Sequence, residues 1–278
     1  MAVTLTYTSA NGTSVPLTLA NGYEVLQNPA GLAVAPQALT LNPLAGSDGS
    51  VLSRRRHDVR PILLALDVSH PTRLQTRVNE LARMLLAGEG TLTWDDGTVT
   101  RQLRRLVYEA GLDGAWDPGQ DGARVALSLL ALDPWWYGQT QSAAIGIASP
   151  TAFDAAIPFD DAIPFDGGAA TVVTVDGDEA AFPVFSVVGP FTTLAVSDGT
   201  STWELAAALG SGETLLIDSR PASRGPRTAT GGTDWSLLSE ASRLWTLPTG
   251  TSSIIAGSSG SGSGSSVTVT WETRWLTP

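Results

Sequence analysis

Apolar and polar positions alternate with a period of two along most of this chain, and the period lengthens to that of a helix only once. The clearest alternation lies near the end. Val267, Val269, Trp271 and Trp275 fall on one face of a strand, and Ser266, Thr268, Thr270, Glu272 and Arg274 fall on the other. Earlier, Arg124 to Leu132 is a near-continuous apolar run, which predicts a strand buried on both faces. Asp133-Pro134 ends it, because proline has no N–H for the ladder and restricts the residue before it. Trp135-Trp136-Tyr137 then meet Gly138, and the composition changes beyond them, so a domain boundary is expected just past Tyr137. Pro61 to Val68 reads as a second buried strand. The one helix is predicted over 71–87, where Leu74, Val78, Leu81 and Leu85 share a face. Ser69 or His70 can cap it, Pro71 suits its first turn and Gly88 follows its end.

Short strands and turns fill Met1 to Asn42, with Asn11-Gly12 and Asn21-Gly22 as turn signals. Ser47-Asp48-Gly49-Ser50 is a further turn. Leu92-Thr93-Trp94 and Thr98-Val99-Thr100 flank the Asp95-Asp96-Gly97 turn as a hairpin. Residues 101–108 are read as its continuing strand, although Leu103, Leu106 and Val107 also fit a helix. From Ala170 onward, strands are expected at 170–175, 181–187, 191–196, 201–207, 213–217, 251–256 and 266–275. Turn clusters such as Asp176-Gly177-Asp178 and Gly210-Ser211-Gly212 separate the early ones. The pattern predicts a mainly β protein of two domains. Residues 1–139 form a β-sandwich or small barrel carrying one packed helix, and residues 169–278 form an antiparallel β-sandwich. Residues 140–168 contain Ile-Pro-Phe-Asp twice and read as an extended arm, or else as a linker packed on its own domain.

Composition narrows the chemistry. Of 278 residues 42% are hydrophobic and 15% charged, which is globular rather than disordered. No apolar run reaches membrane-spanning length, and Met1-Ala2-Val3-Thr4 lacks a basic start followed by an apolar core, so neither membrane insertion nor a secretory signal is expected. The absence of cysteine removes disulfides and thiolate chemistry. The net charge of −11 disfavours sequence-specific nucleic-acid binding. The charge is uneven: 13 acids face 11 arginines in residues 1–147, whereas 14 acids face 5 arginines in residues 148–278.

No catalytic residue, cofactor or metal site is expected. His57 and His70 are the only histidines, and neither adjoins a nucleophile elbow. Many of the acids fall in Asp-Gly turns, where aspartate is expected for backbone reasons, and Asp113, Asp117 and Asp121 do not have calcium-loop spacing. The glycine-rich loop 257–266 precedes no helix, so it lacks the geometry that cradles phosphate. Two clusters remain. Arg54, Arg55, Arg56 and Arg60, with Arg73 and Arg77 on the helix, suit fixed contacts between subunits. Trp203, Trp235 and Trp245 could make a sugar-stacking platform, although tryptophan in a sandwich is more often core.

Taken in order, these elements resemble the distal tail protein family of long-tailed, non-contractile bacteriophages. The likeness is carried by Asp48-Gly49, the Arg60 to Leu64 strand, the single helix, and Val125 to Leu132 running into Asp133-Pro134-Trp135-Trp136-Tyr137-Gly138. Further on it is carried by Gly177-Asp178-Glu179, Phe182-Pro183-Val184, Gly189-Pro190, Gly212 to Asp218 and Ser242 to Gly250. The Ile-Pro-Phe-Asp repeat and the Gly/Ser loop have no counterpart in that pattern. The resemblance implies a structural virion component at the tail tip, assembled in the host cytoplasm, and not an enzyme. It implies a homohexameric ring built by the first domain, with a galectin-like second domain projecting outward. The tail tube would lie above the ring and a tail-tip or baseplate hub below. The alternative is a carbohydrate-binding module that reads host-surface glycans through the second domain.

Overall fold

The computed structural model describes residues 3–26, 29–70, 73–114, 121–148, 170–228 and 231–278. The Ile-Pro-Phe-Asp repeat, Pro71 and Asp117 lie outside them. The protein is mainly β, and it divides into two units. Unit 1 comprises Met1–Gln139 together with Trp275–Pro278, and unit 2 comprises Thr140–Arg274. The chain therefore leaves unit 1, builds unit 2, and returns for its last four residues.

Unit 1 contains β1 (Thr4–Thr8), β2 (Ser14–Pro16), β3 (Tyr23–Val25), β4 (Gln37–Pro43), β5 (Ser50–His57), β6 (Arg60–Ser69), α1 (Leu74–Leu85), β7 (Gly90–Asp95), β8 (Thr100–Ala110), β9 (Gly122–Ala131) and the start of β10 (Trp136–Ile145). Seven strands pair antiparallel in the order β3-β6-β9-β8-β7-β1-β2. Strand β8 changes neighbour along its length: Gln102 and Leu103 face β10, and Leu106 to Ala110 face β9. Arg105 sits at the change with φ 57°, and the register with β7 shifts there. A bulge of this kind bends a strand and lets it serve two partners.

The long apolar runs did not produce strands buried on both faces. On β6, Ile62, Leu64, Leu66 and Val68 point into the core, whereas Leu63 is 48% exposed. On β9, Val125, Leu127, Leu129 and Ala131 are buried, whereas Ala126 is exposed. The two strands pair antiparallel, and an antiparallel sheet covers its core with one face. Helix α1 is shorter than 71–87 but buries the expected face, adding Met84 to Leu74, Val78, Leu81 and Leu85, and packs on β6. Its first turn is held from upstream: the Arg73 N–H donates to His70 Nδ1 at 2.9 Å.

Unit 2 contains β11 (Ile147–Ala148), β12 (Thr171–Val175), β13 (Val184–Val188), β14 (Thr193–Ser197), β15 (Thr202–Glu204), β16 (Thr214–Asp218), β17 (Gly225–Thr228), β18 (Gly250–Ser259) and β19 (Ser266–Trp275). One sheet runs β17-β16-β13-β19. The other runs β15-β14-β18, with β12 and β11 also on β18. Phe185, Ile217 and Val269 from the first share one core with Val173, Val196, Trp203 and Ile254 from the second. Among the described residues no helix is long and apolar enough to cross a membrane.

Candidate assembly interface

Strands β4 and β5 form a two-stranded sheet of their own. The Gly46 and Gly49 turn conformations, at φ 77° and 105°, connect them. Cross-strand partners share a face. Leu39 pairs with Arg55 and Leu41 with Leu52, while Ala38 pairs with Arg56, Thr40 with Arg54 and Asn42 with Val51. One face is therefore dominated by leucine and the other by arginine. Leu39, Leu41 and Leu52 are 53%, 55% and 50% exposed. A lone hairpin is marginal in water, and the large aliphatic side chains clustered on this one leave an exposed apolar face. Arg54 and Arg55 make no ion pair among the described residues, and Arg56 only a loose one, 3.9 Å from Asp58.

Arg60, four residues further on, is elsewhere. It is fully buried, because it shares strand parity with Ile62 and Leu64 on the core face of β6. Its guanidinium donates to the carbonyls of Gly31 (3.2 Å), Leu32 (3.0 Å), Ala33, Pro134 (2.6 Å) and Leu276 (3.1 Å). No carboxylate pairs with it among the described residues. Burial lowers its pKa to about 10, so it stays charged at neutral pH. The expectation that Arg60 joins a surface cluster with Arg54–Arg56 is corrected: its side chain has no free surface to offer. Arg77 lies on α1, and Arg73 precedes it as the N-cap. Arg77 pairs with Glu80 at 3.1 Å, and its guanidinium lies 5.4 Å from the Tyr23 ring. Burial raises the Tyr23 pKa, against the opposing influence of Arg77. Tyr23, Arg77 and Glu80, with Asn11 and Arg83, line an open cleft of about 440 Å³.

The tryptophans are not brought together at a surface. Trp203 is fully buried and Trp245 is 8% exposed, with their rings 5.3 and 5.5 Å from Phe185 in the core. Trp235 alone is open, at 51%, beside Gly225. A three-tryptophan platform is therefore absent. Among the described residues no group of three or more His, Cys, Asp or Glu could hold a metal ion. His57 packs edge-on against Trp135, ring centres 4.6 Å apart, and His70 serves the helix start.

Two motifs from the sequence acquire structural content. In Asp133-Pro134-Trp135-Trp136-Tyr137, the Asp133 carboxylate accepts from the Tyr137 hydroxyl at 2.7 Å, and the buried Trp136 indole donates to the Leu32 carbonyl at 3.0 Å. At the end of Gly212 to Asp218, the Asp218 carboxylate is fully buried. It accepts from Arg220 (2.6 Å), Ser223 (2.7 Å) and Arg227 (3.3 Å). Burial would raise its pKa, but the Arg220 and Ser223 hydrogen bonds and the Arg220 charge outweigh that and hold it below the usual carboxylate range.

No family model matches the chain, and no curated protein matches it. Solved structures do. The crystal structure of the SPP1 Dit protein, described as a paradigm of hub adsorption apparatus in Gram-positive infecting phages, matches with a TM-score of 0.70 at 17% identity, covering 99% of this chain and 100% of that one. The phage P2 baseplate in its activated conformation contributes a chain matching with a TM-score of 0.57 at 10% identity, with both chains fully covered. The fold of the chain is similar to that of the SPP1 Dit protein and of a chain of the phage P2 baseplate.

Proposed function

We propose that the protein is a distal tail component of a bacteriophage virion, in which unit 1 closes into a homohexameric ring between the tail tube above and the tail-tip or baseplate hub below. The observation that carries this reading is the β4–β5 hairpin, with three half-exposed leucines on one face and Arg54 and Arg56 on the other. Each leucine is already half-buried, so a neighbouring copy that covers the rest of it contributes roughly 0.8–1.5 kcal/mol, and the arginines fix the register of the contact. The whole-length match to a Dit fold supports the same placement at the virion tail tip; assembly in the host cytoplasm is part of the proposal. The work is mechanical joining rather than turnover. Mass photometry and negative-stain imaging of the purified full chain test it. Sixfold rings are expected. A strictly monomeric particle that ignores tail-tube and hub proteins overturns the reading.

A second reading, glycan contact through unit 2, rests on the exposed Trp235 ring. Glycan-array binding that disappears in Trp235→Ala supports it, and a blank array removes it.

A further inference from the structure

We infer that Arg60 couples the β4–β5 hairpin to the two chain segments through which unit 1 leads into unit 2 and receives it back. The outgoing segment begins at Pro134, and the returning one is Trp275–Leu276. The two feet of the hairpin are Pro36 and Asp58, tied by the Asp58 N–H donating to the Pro36 carbonyl at 3.0 Å. Just outside those feet lie the 31–33 loop and Arg60 itself. One guanidinium holds that loop, the Pro134 carbonyl and the Leu276 carbonyl together.

The surroundings reinforce this node. Gly31, at φ 82°, lies so close to the Pro61 carbonyl that a Cβ would collide with it, so the loop must press down beside Arg60. The last hairpin residue, His57, packs on Trp135, one residue past Pro134. The neighbouring Trp136 indole donates to Leu32, the same carbonyl that Arg60 takes. Hairpin root and outgoing segment thus share acceptors and share a cation. Five carbonyls and no carboxylate make the arrangement rigid in one geometry, because a planar guanidinium satisfies several acceptors at once and a rotatable ammonium does not.

The consequence, which rests on the reading of the hairpin as a contact between copies, is that seating the hairpin also fixes the segments that carry unit 2. The coupling itself is a property of unit 1.

The cysteine-free chain allows a direct test. Spin labels at Asn42→Cys on the hairpin and Gln139→Cys on the outgoing segment, with labelled protein diluted into excess unlabelled protein, report the intramolecular distance distribution. A narrow distribution is expected for the parent. Arg60→Lys keeps the charge and is expected to broaden it. Trp135→Leu, which removes the His57 contact, is expected to broaden it as well and decides the matter should Arg60→Lys fail to fold. Leu81→Ala weakens the helix core and is expected to leave the distribution narrow. Unchanged widths in both Arg60→Lys and Trp135→Leu overturn the coupling, as does equal broadening in Leu81→Ala. Particle mass measured on the same samples separates the two readings. Absent rings count against the proposed function alone, and intact rings with unchanged widths count against the coupling alone.

Discussion

Arg54-Arg55-Arg56 and Arg60 stand within seven residues of each other and live in opposite environments. The first three lie on a hairpin that water reaches from both sides, with one loose ion pair among them. The fourth is fully buried and fully hydrogen-bonded. Charge in the first region is available for a partner and costs the fold almost nothing. Charge in the second is committed to the fold and would be expensive to leave unpaired. The difference shows that an arginine's neighbours in sequence say less about its role than the face of the strand it occupies.

The largest expected effect therefore comes from breaking the buried member. Arg60→Met leaves the carbonyls of Gly31, Leu32, Ala33, Pro134 and Leu276 without their shared donor. Losing such a network costs about 3–5 kcal/mol, against a typical domain stability of about 5–15 kcal/mol. Calorimetry of the full chain is expected to show the unit 1 transition lowered and the unit 2 transition unmoved.

That node was partly legible. Arg60 has the parity of Ile62, Leu64, Leu66 and Val68, but Leu63 and Ala65 make the run apolar at both parities, so only the structure shows which face turns inward. The helix, the 92–94/98–100 hairpin and the regular strands after 170 were readable because each has an apolar face of the right period. The 101–108 strand was readable only as the continuation of the hairpin, its Leu103, Leu106 and Val107 fitting a helix as well. Strand β5 was not, since Ser50 to His57 buries neither face and leaves no alternation to read. Strand β17 reads Gly-Pro-Arg-Thr, a turn by local chemistry, and is a strand because β16 pairs with it at the sheet edge. The tryptophan platform failed for a related reason. Trp203 lies on the inward face of a three-residue strand too short to show its period.

Asp218 sharpens the comparison, because it is a buried charge that does have ionic partners. Asp218→Asn keeps the shape and removes the charge that Arg220 and Arg227 meet, at a cost of about 2 kcal/mol. The pH dependence has a definite sign. A carboxyl whose folded pKa lies below its unfolded value of 3.8 adds stability above that pH, and loses it as pH falls through the folded pKa. Denaturant unfolding followed at pH 7 and then down through pH 4 and below is expected to show unit 2 weakening in acid. The Asn variant is expected to lose part of that slope. An unchanged slope would remove Asp218 from the acid response.

The exposed region should respond the other way round. Leu39→Asp, Leu41→Asp and Leu52→Asp are each expected to change the stability of the single chain by no more than about 0.5 kcal/mol, as for surface substitutions generally, and together by no more than about 1.5 kcal/mol. The same triple change is expected to abolish the ring, because it puts carboxylates where a neighbour must make apolar contact. Mass photometry and calorimetry on one preparation read both. A ring that survives the triple substitution shows that the leucine face is not the contact.

The arginines of the hairpin divide by face, and this gives the smallest and most discriminating effect. Arg55 shares the leucine side through its pairing with Leu39, whereas Arg54 and Arg56 share the other. Exposed charges contribute about 0–1 kcal/mol each and are screened by salt over about 8–10 Å at ordinary ionic strength. Arg54→Glu with Arg56→Glu is therefore expected to weaken ring assembly only modestly, in a way that raised salt reduces. Arg55→Glu places its charge among leucines that become desolvated in the contact, where screening is poor, so its effect is expected to persist in high salt. Titrating assembly against protein concentration at two salt concentrations distinguishes the faces. If both variants respond to salt alike, the contact does not tell one side of the hairpin from the other, and the division into an apolar docking face and a basic steering face fails.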